Sequence, residues 1–332
     1  MNKETGLSAK LGKLPHWDLS DLYDGPESAA LKKDLGDARA TARALNENHA
    51  GKVASLDGAA LGELVGEYEA VQEILGRVTS YAYLRYCTNM EDPEVAQFFQ
   101  NLSEAATDIS RDLLFLTLEL NRIEDADLNE RLGAEKLAHY GPWLRDVRAY
   151  RAHQLSDDLE RLLHEKQVSG RSAWMRLFDE TVATLRFPLG GEDLTSAEVL
   201  NLLSDPDESQ RRAAAKSIGQ VFGDNIRTFS LITNTLAKDK ETEDKWRDFA
   251  RPISSRNLSN QVEDEVVDAL VGAVKQSYPR LSHRYYALKA RWMGAETLNY
   301  WDRNAPLPED DDRTVPWDEA VELVLSAYRA FS

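Results

Sequence analysis

Apolar residues recur in steps of three and four along the stretch 61–82, with polar residues between them. The apolar positions of this first series are Leu61, Leu64, Tyr68, Val71, Leu75, Val78 and Ala82. This spacing places them on one face of an α-helix that it predicts to be roughly 30 residues long. A second series comprises Val95, Phe98, Leu102, Ala105, Ile109, Leu113, Leu116, Leu120 and Ile123. Because the break between the series is short, and its Asp92-Pro93 is typical of a helix start, the pattern predicts an antiparallel helical hairpin.

Further helices are predicted on both sides of the hairpin. One is expected to begin near Pro26 and to run to about Asn46, because proline is favoured in a first helical turn. Residues 125–170 are expected to hold shorter helices. A later helical face is predicted to be buried and carries Trp174, Leu177, Phe178, Val182 and Leu185.

The C-terminal part of the sequence also has a helical pattern. A helix is expected to begin at Asp205-Pro206 and to extend past Trp246. Asn260 is expected to cap the next helix, with Glu263 at its third position. The apolar face of that helix carries Val262, Val266, Leu270 and Val274. A last helix, opened by Pro316, is predicted to bury Ala320, Val324, Tyr328 and Phe331.

One short stretch has strand and turn character. It is Leu185–Gly191, in which Gly190-Gly191 allows the positive φ angles of a tight hairpin and Pro188 favours an edge strand. Thr195 and Glu198 follow with the spacing of a capping box. The predicted fold class is therefore all-α, with a long antiparallel hairpin, further helices and one two-stranded β ribbon near 184–194. Three regions are predicted: 1–125, a helical hairpin region; 126–203, a helical and ribbon domain; and 204–332, a third helical region.

Composition and charge narrow the functional classes. The chain has 332 residues, of which 42% are apolar, and 40 Lys+Arg oppose 57 Asp+Glu for a net charge of −17. The apolar fraction argues against global disorder, and the negative charge argues against binding to nucleic acid or to an anionic membrane surface. No apolar run approaches the roughly 20 residues of a membrane span. A polar N-terminus and the single Cys87 lead us to expect a soluble, cytoplasmic protein.

Motifs of the common reaction classes are missing from the sequence. GxxxxGK[ST], GxGxxG, GxSxG and HExxH do not occur. Only His164-Glu165 has the start of HExxH, and position 168 holds Val rather than a second His. Glu160 and His164 are one helical turn apart, so a surface contact between them is favoured over the alternative of a metal site at His164. Cys87 is expected to be a small packing residue, and Glu309–Asp312 a solvated loop.

Two stretches carry a resemblance to a known family. The first reads Leu14-Pro15-His16-Trp17-Asp18-Leu19-Ser20-Asp21-Leu22-Tyr23. The second reads His283-Arg284-Tyr285-Tyr286-Ala287-Leu288-Lys289, then Met293-Gly294-Ala295, then Leu298-Asn299-Tyr300-Trp301-Asp302-Arg303-Asn304-Ala305-Pro306-Leu307. Both resemble the oligoendopeptidase F family of thimet-type zinc metallopeptidases. That family opens with Trp-Asp-Leu…Leu-Tyr and later has a Tyr-Tyr-x-Leu-Lys helix, a Leu-Gly turn and a Tyr-Asp…Ala-Pro loop. Here Met293 replaces the leucine of the turn, and Trp301 interrupts the Tyr-Asp pair.

The resemblance implies a largely helical protein whose two halves wall a deep channel, with zinc-dependent cleavage of short peptides as the activity. The family places HExxH and its other catalytic groups in a C-terminal half that is missing here. The resemblance implies that residues 126–203 form the oligopeptidase N-terminal domain and that residues 204–332 form the start of the catalytic domain, before the zinc motif. We therefore expect the N-terminal portion of a metalloendopeptidase that binds no Zn²⁺ itself and is inactive alone. No catalytic or metal-binding residue is assigned.

Three residues of the family-like helix, His283, Tyr285 and Tyr286, are candidates to line the channel, although aromatic residues at helical spacing more often belong to a core. The competing hypothesis is a non-catalytic interaction module in which the series over 61–82 and 95–123 recruit a partner helix.

Overall fold

The computed structural model describes residues 17–307 and 313–331. Leu14–His16 of the first family-like stretch and the acidic run Glu309–Asp312 lie outside the described residues. In chain order, the α-helices are α1 (Ala29–His49), α2 (Gly58–Thr88), α3 (Pro93–Arg111), α4 (Leu114–Leu120), α5 (Asp125–Arg131), α6 (Glu135–His139), α7 (Gly141–Ala149), α8 (Asp157–Lys166), α9 (Arg171–Thr184), α10 (Ser196–Asn201), α11 (Glu208–Asp224), α12 (Ile226–Trp246), α13 (Ser254–Ser259), α14 (Asp264–Ser277), α15 (Ser282–Trp292) and α16 (Trp317–Phe331). The strands β1 (Phe187–Leu189) and β2 (Glu192–Leu194) follow α9.

The predicted helical hairpin is formed by α2 and α3. The 31-residue α2 begins at the N-cap Asp57 and buries most of the first apolar series. α3 begins at the N-cap Asp92, with Pro93 in its first turn, as the sequence indicates. The second series, however, is divided between α3 and α4, because the chain leaves the helix at Asp112 and Leu113. The freed carbonyl of Asp112 accepts a hydrogen bond from the Asn46 side chain of α1 at 2.8 Å.

The main core lies between α1, α2, α3 and the short helices that follow them. Its buried members include Ala42, Leu64, Ile109, Leu116 and Leu137, each at most 2% exposed. A smaller cluster of buried residues comprises Tyr23, Leu31, Val78, Tyr81, Ala82 and Leu102. Tyr23 belongs to the first family-like stretch, and its ring lies edge-on to Tyr81 with centroids 5.3 Å apart. The spacing of apolar residues thus corresponds to a closed interior in this part of the chain.

Two glycines allow α2 to approach the short helices α5 and α6 closely. A Cβ atom on Gly62 would lie 2.8 Å from the backbone nitrogen of Leu137, and one on Gly58 would lie 2.3 Å from the carbonyl oxygen of Arg131. Such distances are shorter than van der Waals contact, so only glycine fits without a shift of backbone. Gly76, in the same helix, has no atom within 4 Å of the corresponding position.

The β ribbon and the capping box that follows it confirm the prediction. β1 and β2 pair antiparallel with Phe187 opposite Leu194, and both Gly190 and Gly191 have positive φ. Thr195 caps α10 reciprocally with Glu198: the Glu198 backbone N–H donates to the Thr195 hydroxyl oxygen, and the Thr195 backbone N–H donates to the Glu198 carboxylate. The all-α class with one small ribbon is therefore correct.

The chain divides into two compact units, each made from two segments. The first comprises 1–185 and 225–269, and the second comprises 186–224 and 270–332. The hairpin and its core lie in the first unit, and the ribbon lies in the second. The division into 1–125, 126–203 and 204–332 remains a prediction.

Several helical faces expected to be covered are exposed. Of the face predicted in α9, Leu177 and Phe178 are 42% and 44% exposed, and no residue of α9 is buried. In α16, Val324, Tyr328 and Phe331 are exposed, and no described residue of the helix is buried. The prediction of buried faces was therefore wrong here. A periodic pattern shows that a helix has an apolar face, but only a neighbouring element can cover it.

Two predicted helix boundaries were also wrong. The stretch after Asp205 forms two helices, α11 and α12, interrupted at Asn225. Asn260 follows α13 as its C-cap instead of capping α14. At the start of α14, the Ser254 hydroxyl and the Asn257 side-chain amide of α13 donate hydrogen bonds to the Asp264 carboxylate at 2.6 and 2.7 Å. None of the described helices is long and apolar enough to cross a membrane.

Candidate functional site

A cavity of about 790 Å³ lies in the second unit. Its apolar walls come from α10, the turn that follows α10, α11, α15 and the loop after α15. They include Leu200, Leu203, Ala215, Ile218, Ala290 and Leu298. Tyr286, Tyr300 and Trp301 add aromatic rings. A volume of this size, with mostly apolar walls and a few polar groups, is typical of a small-molecule or peptide site.

A buried ion pair fixes one wall of the cavity. Arg211 of α11 is 1% exposed, and its Nη2 donates to Asp302 Oδ1 at 2.7 Å. Its Nη1 donates to the carbonyl oxygens of Asp205 and Pro206 at 2.8 and 2.9 Å. Asp302 Oδ2 in turn accepts the backbone N–H of Asn299 at 3.2 Å. Because both charges are paired and hydrogen-bonded, the low polarity of the surroundings strengthens the link between α11 and the loop 299–305.

A buried lysine holds the same loop from the other side. Lys289 of α15 is 3% exposed, and its Nζ donates to the carbonyl oxygens of Arg303 and Ala305 at 2.9 and 2.6 Å. The loop is thus anchored to two helices, α11 and α15, through charged side chains.

At the start of α11, Asp207 accepts hydrogen bonds from the hydroxyl and the backbone N–H of Ser209. These hydrogen bonds, the one from the hydroxyl foremost, lower the pKa of Asp207 below its usual value.

Trp301 is the aromatic residue with the most specific surroundings in this wall. The Arg212 guanidinium carbon lies 5.7 Å from the centre of its ring, within the range of a cation–π interaction. The ring of Tyr300 is edge-on to it at 4.9 Å. The indole N–H is shielded from solvent and has no hydrogen-bond acceptor among the described residues. A buried donor without an acceptor is unfavourable by about 1–3 kcal/mol.

Two opposite charges also line the cavity. Arg303 and Glu296 are both exposed, and neither forms an ion pair among the described residues. A positive and a negative group are therefore available to a ligand on the same cavity. Asn299 and Asn304 add neutral polar groups to the lining.

Of the three predicted channel residues, the cavity includes Tyr286 but not His283 or Tyr285. All three are exposed, in contrast to the core alternative. The ring of Tyr285 lies 5.5 Å from that of Tyr286, and the ring of His283 lies 6.1 Å from that of Tyr278. Whether any of them contacts a substrate remains a prediction.

The contact expected between Glu160 and His164 is replaced by two separate interactions in the first unit. His164 Nε2 lies 2.9 Å from the Ser110 hydroxyl oxygen, and Glu160 forms a two-pronged ion pair with Arg247 at 2.7 and 2.9 Å. Arg247, distant in sequence, offers two donors to Glu160, which the neighbouring histidine cannot do. Cys87 is a half-buried free thiol.

The described part of the chain brings no three His, Cys, Asp or Glu side chains together as a metal ion requires. The described residues therefore do not fit a zinc ion, and none is assigned as a ligand.

Sequence reasoning missed the buried network at the cavity. Lys289 and Asp302 lie in the second family-like stretch, but no periodic pattern relates Arg211 to Asp302 across 91 positions. One signal in the sequence could have indicated that Arg211 and Lys289 are buried. Both lie close to alanines in their helices, α11 and α15, and alanine is common on buried helical faces.

Comparison with known proteins agrees with the fold and with the resemblance. A family model described as Oligopeptidase F matches residues 119–187. In sequence, the chain is similar to Oligopeptidase PepF of Bacillus subtilis (strain 168), with 25% identity over 322 residues that cover 93% of this chain and 46% of the relative. It is also similar to Group B oligopeptidase PepB of Streptococcus agalactiae serotype III (strain NEM316), with 25% identity over 264 residues, 75% of this chain and 42% of the relative.

The fold is similar to that of a solved relative. The crystal structure of oligoendopeptidase-F from Enterococcus faecium matches 83% of this chain with a TM-score of 0.74 and 21% identity. The matched part is 56% of the Enterococcus faecium chain. The chain spans about half the length of the curated relatives it matches. What it shares with them is therefore a part of their structure.

Proposed function

This chain is related to the N-terminal part of the oligopeptidase F family, and on that premise we propose that it forms the N-terminal portion of a zinc-dependent oligoendopeptidase that hydrolyses short peptides. The observation that carries the proposal is the match over 93% of the chain to less than half of an oligopeptidase. The fold supports it, because 83% of this chain corresponds to 56% of a solved oligoendopeptidase-F chain with a TM-score of 0.74.

The chemistry of peptide cleavage is proposed to belong to a second polypeptide region, equivalent to the part of the relatives that this chain does not match. Zinc, in this proposal, is held there, since the described residues offer no ligand set for it. The contribution of this chain is to bind and to orient: it supplies helical walls and a cavity. We expect the chain alone to be inactive.

The exposed apolar faces support a second region of this kind. In α16, Trp317, Val324 and Tyr328 are 65%, 51% and 70% exposed. In α14, Leu270 and Val274 are 64% and 45% exposed. Isolated helices of this length are marginal in water, and their stability comes mostly from packing of an apolar face. We propose that these faces pack against the catalytic region.

The experiment is a chimera in which this chain replaces the matched segment of Bacillus subtilis PepF. We expect the chimera to hydrolyse a fluorogenic peptide in a chelator-sensitive reaction. Val324→Asp should reduce that hydrolysis about tenfold or more, since it places a charge in the proposed contact. Glu322→Gln, on the same helix, should have little effect.

Two outcomes would contradict the proposal. One is a folded chimera, verified by circular dichroism, that hydrolyses no peptide. The other is stoichiometric zinc or chelator-sensitive cleavage by this chain alone.

The alternative of an interaction module is less well supported. It needed an exposed apolar stripe on 61–82 or 95–123, but Leu61, Val78 and Ile109 are fully buried within the hairpin. A stable complex with an unrelated protein, and no activity in the chimera, would favour that alternative.

A further inference from the structure

We propose that the cavity of the second unit binds a short peptide with free termini, whose apolar side chain enters the cavity and whose charged ends contact Arg303 and Glu296. The inference rests on the proposed function for the class of ligand. The site itself is argued from its walls, its charges and its unused hydrogen-bond donor.

The walls select an apolar side chain. Leu200, Leu203, Ile218 and Leu298 supply aliphatic surface, and Tyr286 supplies a ring. Leu200 is 54% exposed although it faces a cavity. Contact with a leucine or phenylalanine side chain would remove apolar surface from water on both partners, which favours binding in proportion to the area covered. A polar side chain would lose its hydration there without compensation.

The charges on the cavity favour a zwitterion. Arg303 offers a guanidinium that matches a carboxylate in a two-pronged hydrogen bond. Glu296 offers a carboxylate for an ammonium group. Neither is engaged in an ion pair among the described residues, so a ligand need not displace a partner. A short peptide carries one charge of each sign at its ends, whereas a fatty acid, a sugar or a phosphate does not.

Trp301 contributes its ring to the cavity lining and carries an unused donor. Its indole N–H is buried from solvent without an acceptor among the described residues. A peptide carbonyl is a strong acceptor, and binding would satisfy this group if the ring turns its N–H toward the cavity.

The loop that carries Trp301 and Arg303 is preorganised. Asp302 and Lys289 hold the loop 299–305 through the buried hydrogen bonds described above. A loop that is ordered before binding loses little conformational freedom when a ligand arrives, so more of the contact energy is available for affinity.

The test is isothermal titration calorimetry of this chain with the tripeptide Ala-Phe-Ala, in the presence of a chelator. We expect saturable binding of one peptide per chain. Ala-Ser-Ala should bind at least about tenfold more weakly, because it lacks the apolar side chain. Failure of Ala-Phe-Ala to bind, or equal binding of the two tripeptides, would overturn the inference.

Blocked peptides and charge variants assign the two ends. Arg303→Gln should weaken Ala-Phe-Ala about fivefold and leave its C-terminal amide unaffected. Glu296→Gln should likewise weaken binding of Ala-Phe-Ala, whose amine is free, about fivefold. It should leave binding of the N-acetylated peptide unaffected. Arg284→Gln and Glu319→Gln, exposed charges outside the cavity, serve as matched controls. The assignment of an end is wrong if blocking that end of the peptide and neutralising its proposed protein partner weaken binding additively.

The same titration separates this inference from the proposed function. Binding by both the chain and the PepF chimera, with no hydrolysis by the chimera, would leave the cavity site intact and refute the peptidase proposal. Binding by the chain but not by an active, folded chimera would show that the second region fills the cavity. That result would overturn the inference and leave the peptidase proposal standing.

Discussion

The helical core of the first unit and the cavity-bearing second unit differ in what they bury. The first encloses large aliphatic side chains such as Leu61, Leu116 and Ile109, all at most 1% exposed. Among the described residues of the second, the buried hydrophobics are Phe187, Val199, Ala214, Ala215, Ala290 and Ala305. Alanine gains little from burial, whereas a leucine or isoleucine gains roughly 1.5–3 kcal/mol.

The second unit buries charged side chains as well. Arg211, Lys289 and Asp302 are each at most 5% exposed. Several of its large apolar residues remain exposed, as in α16 and at the cavity. The difference indicates that the hairpin core of the first unit contributes mainly to stability, whereas the cavity and α16 present apolar surface for contact with another element. Four predictions test that contrast, from the largest expected effect to the smallest.

Arg211→Leu should lower the free energy of unfolding by about 3–5 kcal/mol, since it leaves the Asp302 carboxylate buried without its partner. Guanidinium denaturation gives the value, and hydrogen exchange should show lost protection in 299–305. The double variant Arg211→Met, Asp302→Leu should recover most of the stability, because the uncompensated charge is gone. A single variant as stable as the parent would mean that the ion pair does not hold the second unit.

Leu116→Ala and Leu323→Ala make the same change at two levels of exposure. Leu116 is 1% exposed, and its truncation should lower the free energy of unfolding by about 3 kcal/mol. Leu323 of α16 is 58% exposed, so its truncation should change stability by less than about 0.5 kcal/mol. Similar losses at the two sites would show that α16 is covered in solution.

Gly62→Ala should destabilise the first unit by about 1–3 kcal/mol. The added methyl carbon would lie 2.8 Å from the Leu137 backbone nitrogen, and overpacking of this kind displaces backbone. Gly76→Ala, in the same helix with open space around it, should stabilise by about 0.5–1 kcal/mol. Thermal denaturation of both variants separates the effect of close packing from that of helix propensity. An equal change in stability for the two variants would refute the close contact between Gly62 and the Leu137 backbone.

The last substitution, Glu160→Gln, should lower the free energy of unfolding by about 1 kcal/mol at pH 7. Burial tends to raise the pKa of Glu160, but hydrogen bonds from Arg247 and the Leu155 backbone N–H, with the Arg247 charge, lower it overall. A carboxyl whose folded pKa is lowered stabilises the protein above its usual pKa, and the contribution disappears as pH falls. The stability difference between parent and variant should therefore shrink from pH 7 toward pH 3. A constant difference would mean that the ionised carboxylate contributes nothing.

The hairpin and the ribbon were predictable because their signals are local. An apolar residue every three or four positions defines a helical face, and Gly190-Gly191 defines a turn, whatever lies elsewhere in the chain. The interruption at Asp112 was not predictable in this way, since the group that satisfies the freed carbonyl, Asn46, is 66 positions away.

The candidate site depended still more on tertiary structure. Of the residues singled out in its helix, only Tyr286 lines the cavity, while His283 and Tyr285 do not. The residues that shape the wall, Arg211, Asp302 and Lys289, have ordinary side chains whose roles arise from pairings across the fold. A family resemblance can mark such positions, but it does not state which of them meet.

The sequence by itself determined the fold class, the helical hairpin, the position of the ribbon, and the relationship to an oligopeptidase family. The tertiary structure alone decided which apolar faces are covered, where charges are buried, and that a cavity opens between α10, α11, α15 and the loop 299–305. The physical reason is that helix and turn formation depend on neighbours along the chain, whereas burial depends on which distant surface arrives to exclude water.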